Sequence, residues 1–533
     1  MRLRIFTNIL LLFIVVCTAS SLNILAVFPY QGRSHFIVYK VLLQELARRG
    51  HNITVVSHFP ETNPPKNYHD ISLAGSTPII QDIVPLQELG VLGHVLMSYY
   101  LTRTGRDNCD ILLVNNQVLN LVKEKQKFDV MITEEFNSDC SLGIAYKLGS
   151  PVVAITSNVL MPWHYDRFGI PSNPAFVSFH FMGGGTRPSL FQKIKVVIAN
   201  QFYRLSYYYL SQRPNQASLE AKFGEIPHLE DLGRDIKYLL LYQHYTLTGS
   251  VLFPPNVIEV GGFHIPKAKP LTGELKKFVD DADAGVIFIS FGSMVKVSTI
   301  SQEQLEAVLE TIAAFPHRFI WRWDDTSVDK PPFSNLPKHL RDILVDKNKL
   351  YKSDWLPQID ILGHPKTVAF FSHAGMGGTG EAINFGVPMV AMPVMGDQPS
   401  NAAAIVESGL GVRIEVGELK KDNVIAAFKT VLDPTFNDNV NRLSKMWHDR
   451  PLSPMDTAVY WIEYAARNNN FTFRSPVADL PLYKYYNLDL FAILIGFFVF
   501  IFSIVKVSIS ICQCCKKRKQ GNIQSTKRKQ KKN

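Results

Sequence analysis

The chain has 533 residues, is 46% hydrophobic and carries 31 prolines spread along its length, which suits two sizeable domains and excludes a disordered or fibrous protein. Its formal charge of +10 sits at the ends: twelve of the 56 Lys and Arg (Arg2, Arg4, Lys506 and nine between Lys516 and Lys532) lie there, leaving 44 basic against 46 acidic residues. A body so near neutrality argues against nucleic acid as a partner.

Residues 1–20 read as a secretory leader: Arg2 and Arg4, an apolar run Ile5–Val16, then Thr18, Ala19 and Ser20. A strand follows at once (Asn23–Phe28), then a loop (Pro29–Ser34), a helix from about Phe36 to Arg49 and a second strand (Asn52–Ser57). Asp129–Thr133 and Val152–Thr156 are further strands separated by a helical stretch, and this alternation predicts a parallel sheet in a first domain, 21–255. Between about Met161 and Gln212 the composition turns aromatic and basic, which predicts an amphipathic helix that packs on the domain and walls a pocket, with contact to a membrane surface as the alternative. Proline and glycine in Leu252–Pro270 mark a boundary, taken as a linker over 256–275. A second α/β series opens with Val286–Ser290, runs to about Leu432 and ends in helices, giving a second domain, 276–470.

Leu490–Val505 is uncharged and apolar, with Lys506 placed to snorkel, so 489–511 is expected to span a membrane and the basic tail 512–533 to lie in the cytoplasm. The result is a type I protein with a luminal or extracellular body. Asn52 and Asn470 head glycosylation sequons, and Lys529 with Lys531 resembles a dilysine retrieval signal for the endoplasmic reticulum. Cys17 leaves with the leader, while Cys512, Cys514 and Cys515 lie at the membrane edge as palmitoylation candidates. Only Cys109 and Cys140 remain in the body, and sequence leaves their pairing open.

The segment Trp355–Gln398 carries the chemistry. A β-run, Val368–Ser372, ends at His373. Gly375, Gly377, Gly378 and Gly380 open a helix containing Glu381, and a second β-run (Val387–Val394) ends at Asp397-Gln398. A helix that begins at the carboxyl end of a parallel strand offers unpaired N–H groups and a positive dipole end, which suits a diphosphate. Glycine there keeps any Cβ from holding the backbone away from the phosphate oxygens. Trp355 offers a flat face for a nucleobase, Gln358 a hydrogen bond to base or ribose, and Glu381 an acceptor for both ribose hydroxyls.

This segment resembles the signature of the UDP-glycosyltransferase family, and the resemblance covers nearly the whole body together with the anchor and tail. Met161–Pro174 and the Phe-Asn-Ser-Asp run at 136–139 resemble insect-type members. The resemblance implies the GT-B architecture: an α/β fold of two facing Rossmann-like domains, with one C-terminal transmembrane helix. It assigns Trp355, Gln358 and Glu381 to the nucleoside, His373 and the amides of Gly375–Thr379 to the diphosphate, and Ser293 to a second phosphate contact. Asp397 and Gln398 resemble the pair that grips sugar hydroxyls, with Asn401 one turn on. Many members carry Asn where this chain has Gly377, so a side-chain contact to the donor is expected to be lost there.

His35, in the loop after the first strand, matches the histidine that removes the acceptor's proton, a task that suits imidazole as a class. A carboxylate should hold its other ring nitrogen. Counting back from Pro151 selects Glu135; counting forward from Asp129 selects Glu134, and Asp139 is a third option. Glu135 is the choice made here. Asp281-Ala282-Asp283 imitates the DxD of metal-dependent transferases but precedes its strand, so it reads as a solvated turn. No metal or tightly held cofactor is expected, and UDP-sugar enters as co-substrate. The implied activity is inverting transfer of a hexose, glucose favoured over glucuronate, to the hydroxyl of a small lipophilic acceptor at the endoplasmic reticulum membrane. A homo-oligomer is compatible with it.

Two other classes make different demands. An NAD-dependent oxidoreductase would need G-x-G-x-x-G after the first strand, where this chain has Pro-Tyr-Gln-Gly-Arg-Ser-His. A non-catalytic UDP-binding protein would keep the nucleotide pocket, and an intact His35 counts against it.

Overall fold

The computed structural model describes residues 21–87, 90–171, 173, 181–183, 185, 186, 188–323, 333–470 and 474–530. The leader with Cys17, Phe471-Thr472 of the second sequon, and Lys531 lie outside them. Two compact units divide the chain after Arg474.

The first unit contains two parallel sheets. Their strands are near-continuous aliphatic and aromatic runs, as both faces of a parallel sheet are covered. In chain order the first series is β1 (Asn23–Phe28), β2 (Asn52–Ser57), β3 (Tyr68–Ser72), a two-residue β4 (Val84–Pro85), β5 (Val130–Glu134), β6 (Val152–Ile155), β7 (Tyr238–Leu241) and β8 (Val257–Glu259). All but β4 form one sheet in the order β3-β2-β1-β5-β6-β7-β8. The second series is β9 (Val286–Ser290), β10 (Val295–Lys296), β11 (Arg318–Arg322), β12 (Leu350–Ser353), β13 (Thr367–Ser372), β14 (Met389–Ala391) and β15 (Gly411–Arg413). All but β10 form the second sheet, β12-β11-β9-β13-β14-β15. β4 and β10 pair with each other in parallel and so stitch the two domains together. Strand order reverses between β1 and β5 in one sheet and between β9 and β13 in the other, and ligands bind at such switch points.

The helices that matter below are α1 (Arg33–Arg48), α2 (Val91–Val114), α3 (Cys140–Leu148), α4 (Leu190–Tyr207), α5 (Gln358–Leu362), α6 (Met376–Phe385), α7 (Gln398–Ser408), α8 (Pro454–Arg467) and α9 (Leu488–Gln530). Two expected boundaries shift. Val257–Glu259 belongs to the first sheet, beside β7, so the linker begins after it. α8 returns to the first domain: Trp461 packs on Tyr238 of β7 with ring centroids 4.7 Å apart, and Glu463 reaches His51 at 3.2 Å. The second domain therefore ends before α8.

The aromatic stretch forms α4 as expected, yet only one side is covered. Val196, Tyr203 and Tyr207 are buried, whereas Leu190, Phe191, Val197 and Ile198 are exposed. The second unit contains α9, whose apolar portion is long enough to cross a membrane; the helix continues without a break into the basic tail.

Cys109 of α2 and Cys140 of α3 form a disulfide, with Cα atoms 5.3 Å apart and both residues fully buried. It closes a loop across 31 positions. The double variant Cys109→Ala/Cys140→Ala is expected to lose about 3–4 kcal/mol in denaturant unfolding of the first domain, the chain-entropy value for such a loop.

Candidate active site at the crevice between two sheet edges

At the first switch point, β1 ends in Phe28 and α1 starts at Arg33 with Gly32 as its N-cap. His35 thus lies in the first turn of α1, against the rings of Tyr30 and Phe136 at centroid distances of 4.7 and 4.6 Å. Its Nδ1 is 2.6 Å from Glu134 Oε1. The same oxygen accepts from the Tyr39 hydroxyl at 2.7 Å and the Ser157 hydroxyl at 3.2 Å. Three donors on one oxygen fix the carboxylate, and the carboxylate fixes the imidazole, leaving Nε2 as the nitrogen available to an acceptor.

The partner is Glu134, not Glu135. Side chains alternate along a strand, and Glu134 shares its face with Val130 and Ile132, which pack with α1 residues such as Phe36 and Tyr39. Glu135 follows the opposite face, with Met131 and Thr133, and there it accepts from Arg167 at 3.0 and 3.1 Å. Arg167 also donates to Asp139 and Glu230, and all but Glu230 are wholly buried. Burial pushes the Glu135 carboxyl up. Burial also acts against the Asp139 carboxylate, but Arg167 holds it low. Glu135, Asp139 and His164 are close enough to hold a metal ion, yet the Arg167 guanidinium already occupies the carboxylates.

At the second switch point, Gly292 follows β9 and His373 follows β13. Gly292 adopts φ +73°, and a Cβ there would lie 2.5 Å from His373 Nε2; a Cβ on Gly375 would meet the same atom at 2.5 Å. The imidazole is therefore wedged between two glycines. Burial lowers it to about 4, with Arg322 adding to the effect. Ala374 takes φ +62°, a conformation costing about 1–2 kcal/mol for a residue with a Cβ. Asn401 Nδ2 anchors it by donating to its carbonyl at 2.9 Å. This twist delivers Gly375 as the N-cap of α6, with the amides of the first turn facing the crevice edge. The buried Ser293 hydroxyl has no hydrogen-bond partner among the described residues. An added Cβ at Gly377 meets nothing within 4 Å, so that position opens onto free space.

The expected nucleoside residues converge. Gln358, first residue of α5, donates to Glu381 Oε2 at 2.6 Å, and Trp355, three positions before Gln358, is 51% exposed. Asp397 and Gln398 meet at the start of α7. Gln398 Oε1 accepts from the amides of Val394 and Met395 at 2.8 and 2.9 Å, and Asp397 accepts from Asn401 at 2.8 Å. Burial raises the Asp397 carboxyl, while Asn401 and then His35 act the other way, so the two switch points lie within electrostatic reach. Asp281 and Asp283 are exposed in a turn before β9.

A family model described as UDP-glucoronosyl and UDP-glucosyl transferase matches residues 89–529. The chain belongs to the UDP-glycosyltransferase family. It is 33% identical over 499 residues to UDP-glucosyltransferase 2 of Dactylopius coccus, covering 92% of this chain and 93% of that one. To UDP-glucuronosyltransferase 2A3 of Cavia porcellus it is 28% identical, covering 90% and 91%. In fold it is similar to a UDP-glucose: anthocyanidin 3-O-glucosyltransferase solved in complex with UDP (TM-score 0.56, 17% identity, 84% of this chain and 99% of that one). Os79 from O. sativa, also in complex with UDP, gives a TM-score of 0.54 at 16% identity, over 84% and 99%. The architecture is thus GT-B, and the chain is a hexosyltransferase that takes a UDP-sugar donor.

Three features of this UDP-glycosyltransferase escape a linear reading. Gly292 lies in the Phe-Gly-Ser run, but only its positive φ and the His373 ring show why it is glycine. Arg33, two residues before His35, places its guanidinium 5.0 Å from the Trp355 ring centroid, a cation–π contact between the domains. An apolar cavity of about 540 Å³ lies between the domains, lined by Ile83, Leu96, Met97, Tyr100, Met294 and Met395. It adjoins the Tyr30–His35 pair through Tyr100 and the donor side through Met294 and Met395. Pocket residues had been expected in the aromatic stretch after Met161, whereas this cavity uses the start of α2 and the segment before it.

Gly292→Ala should shift His373, weakening UDP binding at least tenfold by calorimetry and lowering the melting temperature; Gly377→Ala should leave the melting temperature unchanged. His373 should also make stability acid-sensitive. A group held at about 4 when folded against 6.5 when free contributes fully above pH 6.5, and that contribution is lost as pH falls toward 4. Denaturant melts at pH 4.5 and 7 should therefore differ less for His373→Gln than for the native chain.

Proposed function

We propose that this protein transfers glucose from UDP-glucose, with inversion and without a metal, to the hydroxyl of a small lipophilic acceptor, His35 acting as general base. The observation that carries the reading is the Glu134–His35 pair at one switch point, in electrostatic reach of Asp397 at the other. The acceptor lies in the apolar cavity with its hydroxyl at His35 Nε2. As the hydroxyl oxygen bonds to the anomeric carbon, its proton passes to Nε2, and Glu134 stabilises the imidazolium that forms. The bond from that carbon to the β-phosphate oxygen breaks on the opposite side, which inverts the centre. The amides opening α6, with His373 and Ser293, receive the charge that develops on departing UDP.

Glu381 and Gln358 hold the ribose and Trp355 stacks on the uracil. Asp397, with the amide nitrogen of Gln398, binds sugar hydroxyls. Glucose is favoured by the relative named a UDP-glucosyltransferase. With α9 as a membrane anchor and a basic tail outside, the body belongs in the lumen of the endoplasmic reticulum. A cavity whose lining among the described residues carries no charged side chain supports a lipophilic acceptor, xenobiotic or phenolic.

His35→Ala should abolish transfer to a phenol panel while leaving UDP affinity within about threefold; a parallel loss of UDP binding would remove His35 from the role of base. Glu134→Gln should lower kcat by about 10²–10⁴ with the fold intact. Glu135→Gln should instead reduce thermal stability and spare kcat of the surviving enzyme. Running the same panel with UDP-glucuronate identifies the sugar, and an enzyme faster with glucuronate overturns that part of the proposal.

A further inference from the structure

Glu381 is held on both sides. Besides Gln358 on Oε2, its Oε1 lies 3.2 Å from Nε2 of His264, and Nδ1 of His264 lies 2.7 Å from the Tyr242 hydroxyl. His264 and Tyr242 are both buried, at 4% and 0% exposure. Tyr242 immediately follows β7 in the first sheet, His264 belongs to the linker, and Glu381 is on α6 of the second domain. The chain of contacts therefore runs through all three parts. Backbone geometry is spent on it: Gly262 has φ +93° two residues before His264, and a Cβ on Gly380 would come within 3.1 Å of the Tyr242 oxygen.

The chemistry gives the contacts a direction. An ionised carboxylate only accepts, so the hydrogen of His264 is on Nε2 and points at Oε1. Nδ1 then carries a lone pair, and the Tyr242 hydroxyl donates to it. Burial raises Tyr242 and keeps that proton in place. Each oxygen of Glu381 has spent one lone pair on the protein and keeps another for a ribose hydroxyl.

We infer that His264 is a positioning residue of the donor site, which, oriented by Tyr242, holds Glu381 in the ribose-facing conformation and so gives the enzyme its preference for ribonucleotide over deoxyribonucleotide donors. This rests on the assignment of Glu381 to the ribose hydroxyls. Removing the Nε2–H donor frees Oε1, and Glu381 then no longer meets the ribose in one geometry. His264→Asn places an amide near Nδ1 only, whereas His264→Gln places one near Nε2.

The test is calorimetric binding of UDP and 2′-deoxy-UDP to the full-length protein in detergent. The native protein should bind UDP at least tenfold more tightly than 2′-deoxy-UDP, and Glu381→Gln should erase that ratio. His264→Asn should shrink it to below threefold by weakening UDP alone, and His264→Gln should retain most of it. If Glu381→Gln keeps the ratio, Glu381 does not hold the ribose, and the site assignment and this inference fall together. If Glu381→Gln erases the ratio and His264→Asn keeps it, the assignment stands and the role of His264 is overturned. Should His264→Asn melt early, Tyr242→Phe decides, since loss of the hydroxyl frees the tautomer: a reduced ratio supports the inference and an undiminished one overturns it.

Discussion

A parallel sheet sends the N-terminus of every following helix to the same edge, and this constraint shapes the protein twice. In the first sheet the edge between β1 and β5 presents His35 at the head of α1 and Glu134 at the end of a strand. In the second, the edge between β9 and β13 presents Gly292, Ser293 and His373, with α6 opening behind them. Neither edge is sufficient alone. The β4–β10 pairing, the Asp82–Arg322 ion pair at 3.0 Å and the Arg33–Trp355 contact hold them opposite each other. His35 and the glycine-lined turn then face one another across the crevice, as the proposed transfer requires.

Much of this was legible in the sequence because it is written in local patterns. Alternating strands and helices revealed both parallel series, and the glycine-rich turn after His373 marked the start of α6. What failed to show depends on contacts between distant residues. Glu134 and Glu135 cannot be ranked by counting from flanking strands, since either count tolerates a shift of one. The parity of buried residues, with Val130 and Ile132 facing α1, decides between them only once the position of α1 is known. β8 was hidden because a three-residue strand among prolines has no period to detect. α8 was visible as a helix, but which sheet it covers is a matter of tertiary packing. The pairing of Cys109 and Cys140 likewise needed a distance.

The two adjacent glutamates illustrate how burial divides labour. Glu134 faces a histidine at the crevice, where proton movement is useful. Glu135 is enclosed with Asp139, His164, Arg167 and Glu230, a network in which the removal of one member strands the others' charge. Such buried ion pairs add little net stability but fix geometry. This one locks the loop between β5 and α3, and with it the Phe136 ring that flanks His35.

The path of α8 has a practical corollary for engineering. Under the proposed function, Asp397 and Gln398 of the second half meet the sugar while most of the cavity lining comes from the first, so recombining halves from two relatives is the obvious way to mix specificities. A crossover within the linker would graft a foreign α8 onto the native first sheet, replacing Trp461 against Tyr238 and Asp456 against Arg49 with unmatched surfaces. A functional hybrid needs two junctions, the second just before Pro454, so that the last helix travels with the sheet it shelters.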